Sequence, residues 1–249
     1  EVTFMNVYAR GDVHGTSGVG GLIGGTFDSA GVNPSGKVIN AYATGVVTKT
    51  GRSTSVGGLV GSTGSGDRFT YKYTYWNNSV GSDTSVGLGG SGASQEGIGS
   101  KSTEQLYTQS TYEPLDSTWN FTPGTGDWFM AGYPVLQMEI NHMKTGDNAY
   151  EISNVQELQM MALDLSGNYT LTQSFSAAET TDWNGGAGFN PIGNASNLNQ
   201  YTGVFDGAGY EIDSFRINRS QDYVGLFGYV SDATIKNIGL TNVDIDVVG

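Results

Sequence analysis

One stretch of this chain is written twice near its start, and a worn copy closes it. The first copy runs Asn6-Val-Tyr8-Ala-Arg-Gly11-Asp-Val13 and then Val19-Gly-Gly-Leu-Ile-Gly24. The second runs Asn40-Ala-Tyr42-Ala-Thr-Gly45-Val-Val47 and then Val56-Gly-Gly-Leu-Val-Gly61. The Asn-x-Tyr-Ala pieces are 34 residues apart, and the Val-Gly-Gly-Leu pieces 37. Near the end, Val224-Gly-Leu-Phe-Gly228 precedes Ala233-Thr-Ile-Lys-Asn237-Ile-Gly-Leu240. A period of this size predicts a β-solenoid, in which each unit buries its apolar face against its neighbours.

The residue types agree with that expectation. Of 249 residues, 39 are Gly and five Pro, against a usual glycine share of roughly 7%. The glycines alternate with Val, Ile, Leu, Tyr and Phe, as many short strands joined by tight turns require. The formal charge is −13, from 24 Asp+Glu against 11 Lys+Arg. Such a balance argues against nucleic acid and against an anionic membrane surface. There is no cysteine, so disulfides, thiolate metal sites and cysteine nucleophiles are excluded. No run of about 18 apolar residues would insert into a membrane. The chain opens and stops inside repeats, which reads as a processed product or a piece of something longer.

Residues 1–141 form the first predicted module, with two repeats over 1–92. By strand alternation, Val38, Asn40 and Tyr42 share one face and Ile39, Ala41 and Ala43 the other. Tyr71, Tyr73 and Tyr75 likewise share a face. The Gly/Ser-rich stretch from Ser79 to Ser100 reads as loop. Ser102-Thr-Glu-Gln105 predicts a capping box opening a short helix over 102–109. Trp119, Phe121, Trp128 and Tyr133-Pro-Val-Leu136 make an aromatic closing segment. A polar shift over 142–149 marks a linker, and a second module covers 150–249. There Ser153-Asn-Val-Gln156 predicts another box. Val155, Leu158, Met161, Ala162 and Leu165 give a helical stripe over 154–165, a cap for the first coil. Beyond it, strands are expected at Tyr169–Thr172, 203–207, 210–217, 224–228, 234–240 and 243–247. Ile212, Ser214 and Arg216 then face opposite to Asp213, Phe215 and Ile217.

Few residues offer chemistry. His14 and His142 are the only histidines, and neither lies in His-Glu-x-x-His. No Gly-x-Ser-x-Gly elbow or Gly-x-x-x-x-Gly-Lys-Ser/Thr loop occurs. Glu211 and Asp213, two apart on a strand and near Asp206, would suit acid–base work if another carboxylate lay opposite. Asp244 and Asp246, with Asp222 and Asp232 nearby, are possible calcium ligands, although solvated charge is the simpler reading. Tyr71, Tyr73, Tyr75 and Trp76 are either a sugar-stacking platform or a hydrophobic plug. No catalytic, cofactor or metal residue is assigned.

The Val19–Gly24/Asn40–Gly45 and Val56–Gly61 pieces resemble the GLUG-motif repeats of bacterial surface proteins. Tyr75-Trp76 to Leu136 is similar to the segment that closes such an array. Tyr150 through Gly193, Phe205–Tyr210 and Val224–Gly228 are similar to the opening of one. This resemblance implies a right-handed parallel β-helix, and proteins of the adhesin and filamentous surface type. Some such repeats accompany immunoglobulin-cleaving metalloproteases, but the histidine pattern gives no ground for that activity here. The array end precedes the array start, so two readings stand: an excerpt of a larger tandem protein, or copies completing each other head to tail. The expected function is an extracellular, cell-surface stalk, fibre or matrix component, not an enzyme. Its partners are its own copies, or glycans or proteins of other cells. The alternative is a polysaccharide lyase or hydrolase built on a β-helix.

Overall fold

A computed structural model describes residues 2–26, 35–51, 55–63, 68–79, 94–195 and 199–247. They are mostly short strands joined by turns, with few short helices, so the chain is all-β. It divides into two compact units. One is Glu1–Leu106 with Ser110–Trp119; the other is Asn120–Gly249 with Tyr107–Gln109. The compositional break at 142–149 does not coincide with this division. The closing segment from Asn120 onward belongs to the second unit, and its Ala131, Val135 and Met143 lie in that unit's core.

In chain order, the first unit contains β1 (Val2–Ala9), β2 (Val13–Gly15), β3 (Val19–Gly20), β4 (Ser35–Ala43), β5 (Val47–Lys49) and β6 (Val56–Gly57). These are followed by β7 (Arg68–Asn77), β8 (Ser94–Glu96), β9 (Gly99–Lys101) and helix α1 (Thr103–Leu106). The two sequence copies lie side by side, in parallel and in register. Tyr8 pairs with Tyr42 and Ala9 with Ala43, while Val13 pairs with Val47 and Val19 with Val56. β7 adds a third parallel strand, with Tyr42 opposite Tyr75. Both β8 and β9 pair with β7, so part of the predicted 79–100 loop is strand. Residues 80–93 of that loop fall outside the described residues. α1 has the expected box: Ser102 N–H donates to Gln105 Oε1 at 2.9 Å, and Gln105 N–H to Ser102 Oγ at 3.3 Å. The helix ends at Leu106, three residues short of the expected 109.

The face assignments from simple alternation fail, for one reason. β1, β4 and β7 are each interrupted by a left-handed residue at matching register: Asn6 (φ 55°), Asn40 (φ 53°) and Tyr73 (φ 50°). Such a residue breaks the two-residue period and shifts the phase of everything after it. Hence Val38 shares one core with Ala41 and Ala43, and Tyr71 shares it with Trp76. Tyr75 is on the other side, where it and Tyr42 pack with Tyr112 and Trp119. Tyr8 stacks on Tyr42, ring centres 5.2 Å apart. The Val-Gly-Gly-Leu pieces need glycine because the backbones meet closely. A Cβ on Gly21 would sit 2.3 Å from the Gly58 carbonyl oxygen, and one on Gly58 would sit 2.3 Å from the Trp76 ring.

The second unit begins with an antiparallel hairpin, β10 (Trp128–Ala131) and β11 (Tyr133–Leu136), and a 3-10 stretch at Gln137–Met143. β12 (Lys144–Gly146) then pairs antiparallel with β13 (Ala149–Ile152), inside the expected linker. Helix α2 (Val155–Met160) continues as a 3-10 turn at Met161–Leu163. Its N-cap is Asn154, one residue later than expected, which accepts from Glu157 N–H at 2.9 Å. Glu157 reaches back to Ser153 N–H at 2.6 Å. Of the predicted stripe, Val155, Leu158 and Met161 are buried, Ala162 and Leu165 are partly buried against the same core, and Leu165 lies beyond the last helical turn, which ends at Leu163. The remaining strands are β14 (Asn168–Leu171), β15 (Phe175–Ser176), β16 (Val204–Asp206), β17 (Glu211–Asp213), β18 (Arg216–Asn218), β19 (Thr234–Lys236), β20 (Gly239–Thr241) and β21 (Asp244–Asp246).

They form three parallel ladders: β13-β14-β16-β19, β15-β17-β20 and β18-β21. Ser214 (φ 57°) separates β17 from β18 and shifts the phase again, so Ile212, Phe215 and Ile217 are all fully buried. Residues 224–228 form an isolated bridge, Ile192 to Phe227, rather than a strand. The core continues through Tyr150, Tyr169, Phe205, Trp183 and Phe189.

Candidate functional site

The aromatic run of β7 is a plug. Tyr71, Tyr73, Tyr75 and Trp76 are all buried, so no face remains for a sugar to stack on. Burial pushes the Tyr75 hydroxyl up to about 12. Trp119 Nε1–H closes the plug by donating to the Tyr73 carbonyl at 3.0 Å. Asn40, itself buried, ties the repeats together: its Nδ2 donates to Asn6 Oδ1 and to the Thr118 carbonyl, both at 3.1 Å. Thr118 Oγ1 donates back to Asn40 Oδ1 at 2.8 Å.

Two of the three carboxylates singled out from sequence, Asp206 and Asp213, serve the ladders. Glu211 and Asp213 do lie on one side of β17, flanking the buried Ile212. Asp213 accepts from Ser214 Oγ at 2.8 Å, Asn242 Nδ2 at 2.6 Å and Thr241 Oγ1 at 3.0 Å. These donors hold its carboxyl below the usual range. Asp206 accepts from Asn237 Nδ2 at 3.0 Å and Ala208 N–H at 2.9 Å, and pairs with Lys236 at 3.1 Å. Together these hold it at about 2. Each aspartate therefore fastens one strand to the next.

The four aspartates considered for calcium are dispersed. Asp244 and Asp246 share Arg216, the Asp246 contact being 3.5 Å. Asp232 accepts from Ser231 Oγ at 3.3 Å, and Asp222 lies apart on the rim of a cavity. Among the described residues no three His, Cys, Asp or Glu side chains gather in a way that could hold a metal. His14 is exposed on β2, and His142 is exposed in the 3-10 stretch before β12.

Sequence reasoning missed that cavity. It has a volume of about 510 Å³ and is lined by residues 190, 191, 193–195 and 221–223. Its residues come from two separate stretches and share no motif, so no sequence pattern marks them. No helix among the described residues is long and apolar enough to cross a membrane.

No protein-family model matches the chain, and no solved structure matches it. Two curated proteins are similar over part of it. Halomucin of Haloquadratum walsbyi is 38% identical over 111 residues, covering 41% of this chain and 1% of that protein. A protein of Evansella cellulosilytica described as a Gly-rich membrane protein is 35% identical over 109 residues, covering 42% of this chain and 12% of its own length. The chain thus spans a small fraction of the length of these curated relatives.

Proposed function

We propose that this chain is part of an extracellular structural protein, built as a β-solenoid of the GLUG-repeat type. It serves in an adhesin stalk, surface fibre or matrix. The observation that carries the reading is the agreement between sequence repeat and strand pairing: residues one repeat apart, such as Tyr8 and Tyr42, lie side by side in parallel. In such a chain the working element is backbone hydrogen bonding from strand to strand, fastened by Asn40 and Asp213. The partial similarity to a halomucin and to a Gly-rich membrane protein supports a place at the cell surface. Contacts with further copies or with glycans or proteins of other cells would be made from this scaffold.

The carbohydrate-active enzyme reading has less support. Asp206 and Asp213 are both engaged in cross-strand hydrogen bonds and held ionised, which suits fastening better than proton transfer. Negative-stain microscopy of the intact native protein tests the proposal. Rods or fibres are expected, and compact globules alone would overturn it.

A further inference from the structure

The cavity on the second unit is a built one. Its two walls are fixed by backbone bonds: Ile192 N–H donates to the Leu226 carbonyl at 3.0 Å, and Gly228 N–H to the Ile192 carbonyl at 2.9 Å. Gly228 lets the walls meet. A Cβ there would lie 2.5 Å from the Gly193 oxygen and 3.0 Å from both Pro191 Cβ and the Tyr223 oxygen. Gln159 of α2, only 1% exposed, spends its amide on one rim residue. Its Oε1 accepts from Asn190 N–H at 2.8 Å, and its Nε2 donates to the Asn190 carbonyl at 3.0 Å. A buried amide committed to positioning one surface backbone is the kind of support a binding site needs.

The lining faces outward and is chemically specific. Tyr223 is 58% exposed and is held in the left-handed region (φ 62°), which is costly for a bulky side chain. Its ring is braced edge-to-face by Tyr229 at 5.7 Å. Around it, the side chains of Asn190, Asn194, Gln221 and Asp222 have no hydrogen-bond partner among the described residues. The volume falls in the range of small-ligand sites, roughly 300–1,000 Å³.

The lining narrows the ligand. Arg219, next to the cavity, has its guanidinium occupied by the Phe189 and Gly188 carbonyls at 3.1 and 3.2 Å. Asp222 is thus the one charge in the lining among the described residues, which disfavours an anion. Apart from Tyr223, the apolar lining among the described residues is Pro191 and Ala195, too little for a hydrocarbon ligand. Amides and a carboxylate beside an exposed aromatic ring fit a neutral polyhydroxylated ring, with C–H groups against the aromatic face and hydroxyls on the polar groups. We propose that this cavity binds a neutral saccharide, with one sugar ring on Tyr223 and its hydroxyls bonded to Asn190, Asn194, Gln221 and Asp222. All of these residues belong to the second unit, and the site does not rest on the fibre reading.

The test is calorimetric titration of the full chain with cello-, malto-, manno- and galacto-oligosaccharides, with sialyllactose as the anionic comparator. At least one neutral oligosaccharide is expected to bind with Kd on the order of 1 mM or tighter. Tyr223→Ala should weaken it about tenfold or more, and Asp222→Asn several-fold. Both side chains are exposed, so the thermal midpoint should stay unchanged. Failure of all four neutral series to bind, binding of sialyllactose alone, or affinities indifferent to both substitutions would each overturn the proposal.

Discussion

At the scale of single residues, the left-handed positions matter most. Asn is among the few residues that tolerate positive φ, and at Asn40 it also supplies three hydrogen bonds in a buried place. Asn40→Ala should therefore cost the first unit about 2–4 kcal/mol, from lost bonds and a strained backbone, read by urea denaturation. Asn40→Gly keeps the backbone conformation and should cost less. Titration acts at Asp206 and Tyr150. Asp206 is held at about 2, below the ordinary value of about 3.9. Its contribution is complete above pH 4 to 5 and is lost as pH falls toward 2, so the second unit should weaken in acid. Asp206→Asn should flatten that decline in denaturation midpoints taken between pH 6 and 2. Tyr150 shifts the other way: burial, then Asp164 at 2.7 Å, pushes its hydroxyl up to about 12. Its contribution holds below pH 10 and is lost as pH rises through 12, so a second decline is expected in alkali.

At the scale of elements, the parallel pairing of β1 with β4 and of β3 with β6 was legible because each repeat carries the same residues at the same spacing. The faces were not. Period-two reading put Tyr71 with Tyr75 and Ile212 with Ser214, and one left-handed residue in each case moved the later side chains across. The cue was present at Asn6 and Asn40, since Asn favours that conformation, but Tyr73 and Ser214 gave none. The sequence over β8 and β9 reads as loop because Ser and Gly carry little strand propensity; pairing with β7 outweighs it. The α2 stripe was legible because Leu158 and Met161 bury as helical spacing requires. The residue that supports the cavity, Gln159, lies between them and looked ordinary. Two elements invite direct tests. Phe205, fully buried on β16 between Tyr169 and Ile235, should cost about 3–5 kcal/mol on truncation to Ala. Asn154→Ala should remove the α2 cap at a cost of about 1 kcal/mol. Thermal or chemical unfolding of the full chain reads both.

At the scale of the whole molecule, the chain holds two compact units, and the second draws Tyr107 into its core from well upstream. A fragment covering residues 107–249 should therefore fold alone with a β-rich circular dichroism spectrum and one cooperative transition. A fragment starting at 150, the boundary suggested by composition, should be markedly less stable, because it lacks Ala131, Val135 and Met143. The in-register pairing of β1, β4 and β7 has a further outcome for how such genes change. Among these three, each strand pairs with its counterpart about one copy away in the sequence, so splicing in a further copy of the full period of 34 to 37 residues, in frame, should add a storey with the same pairing. Gains and losses of fractional copies would leave the storeys mismatched, and natural variation in length should accordingly come in whole steps.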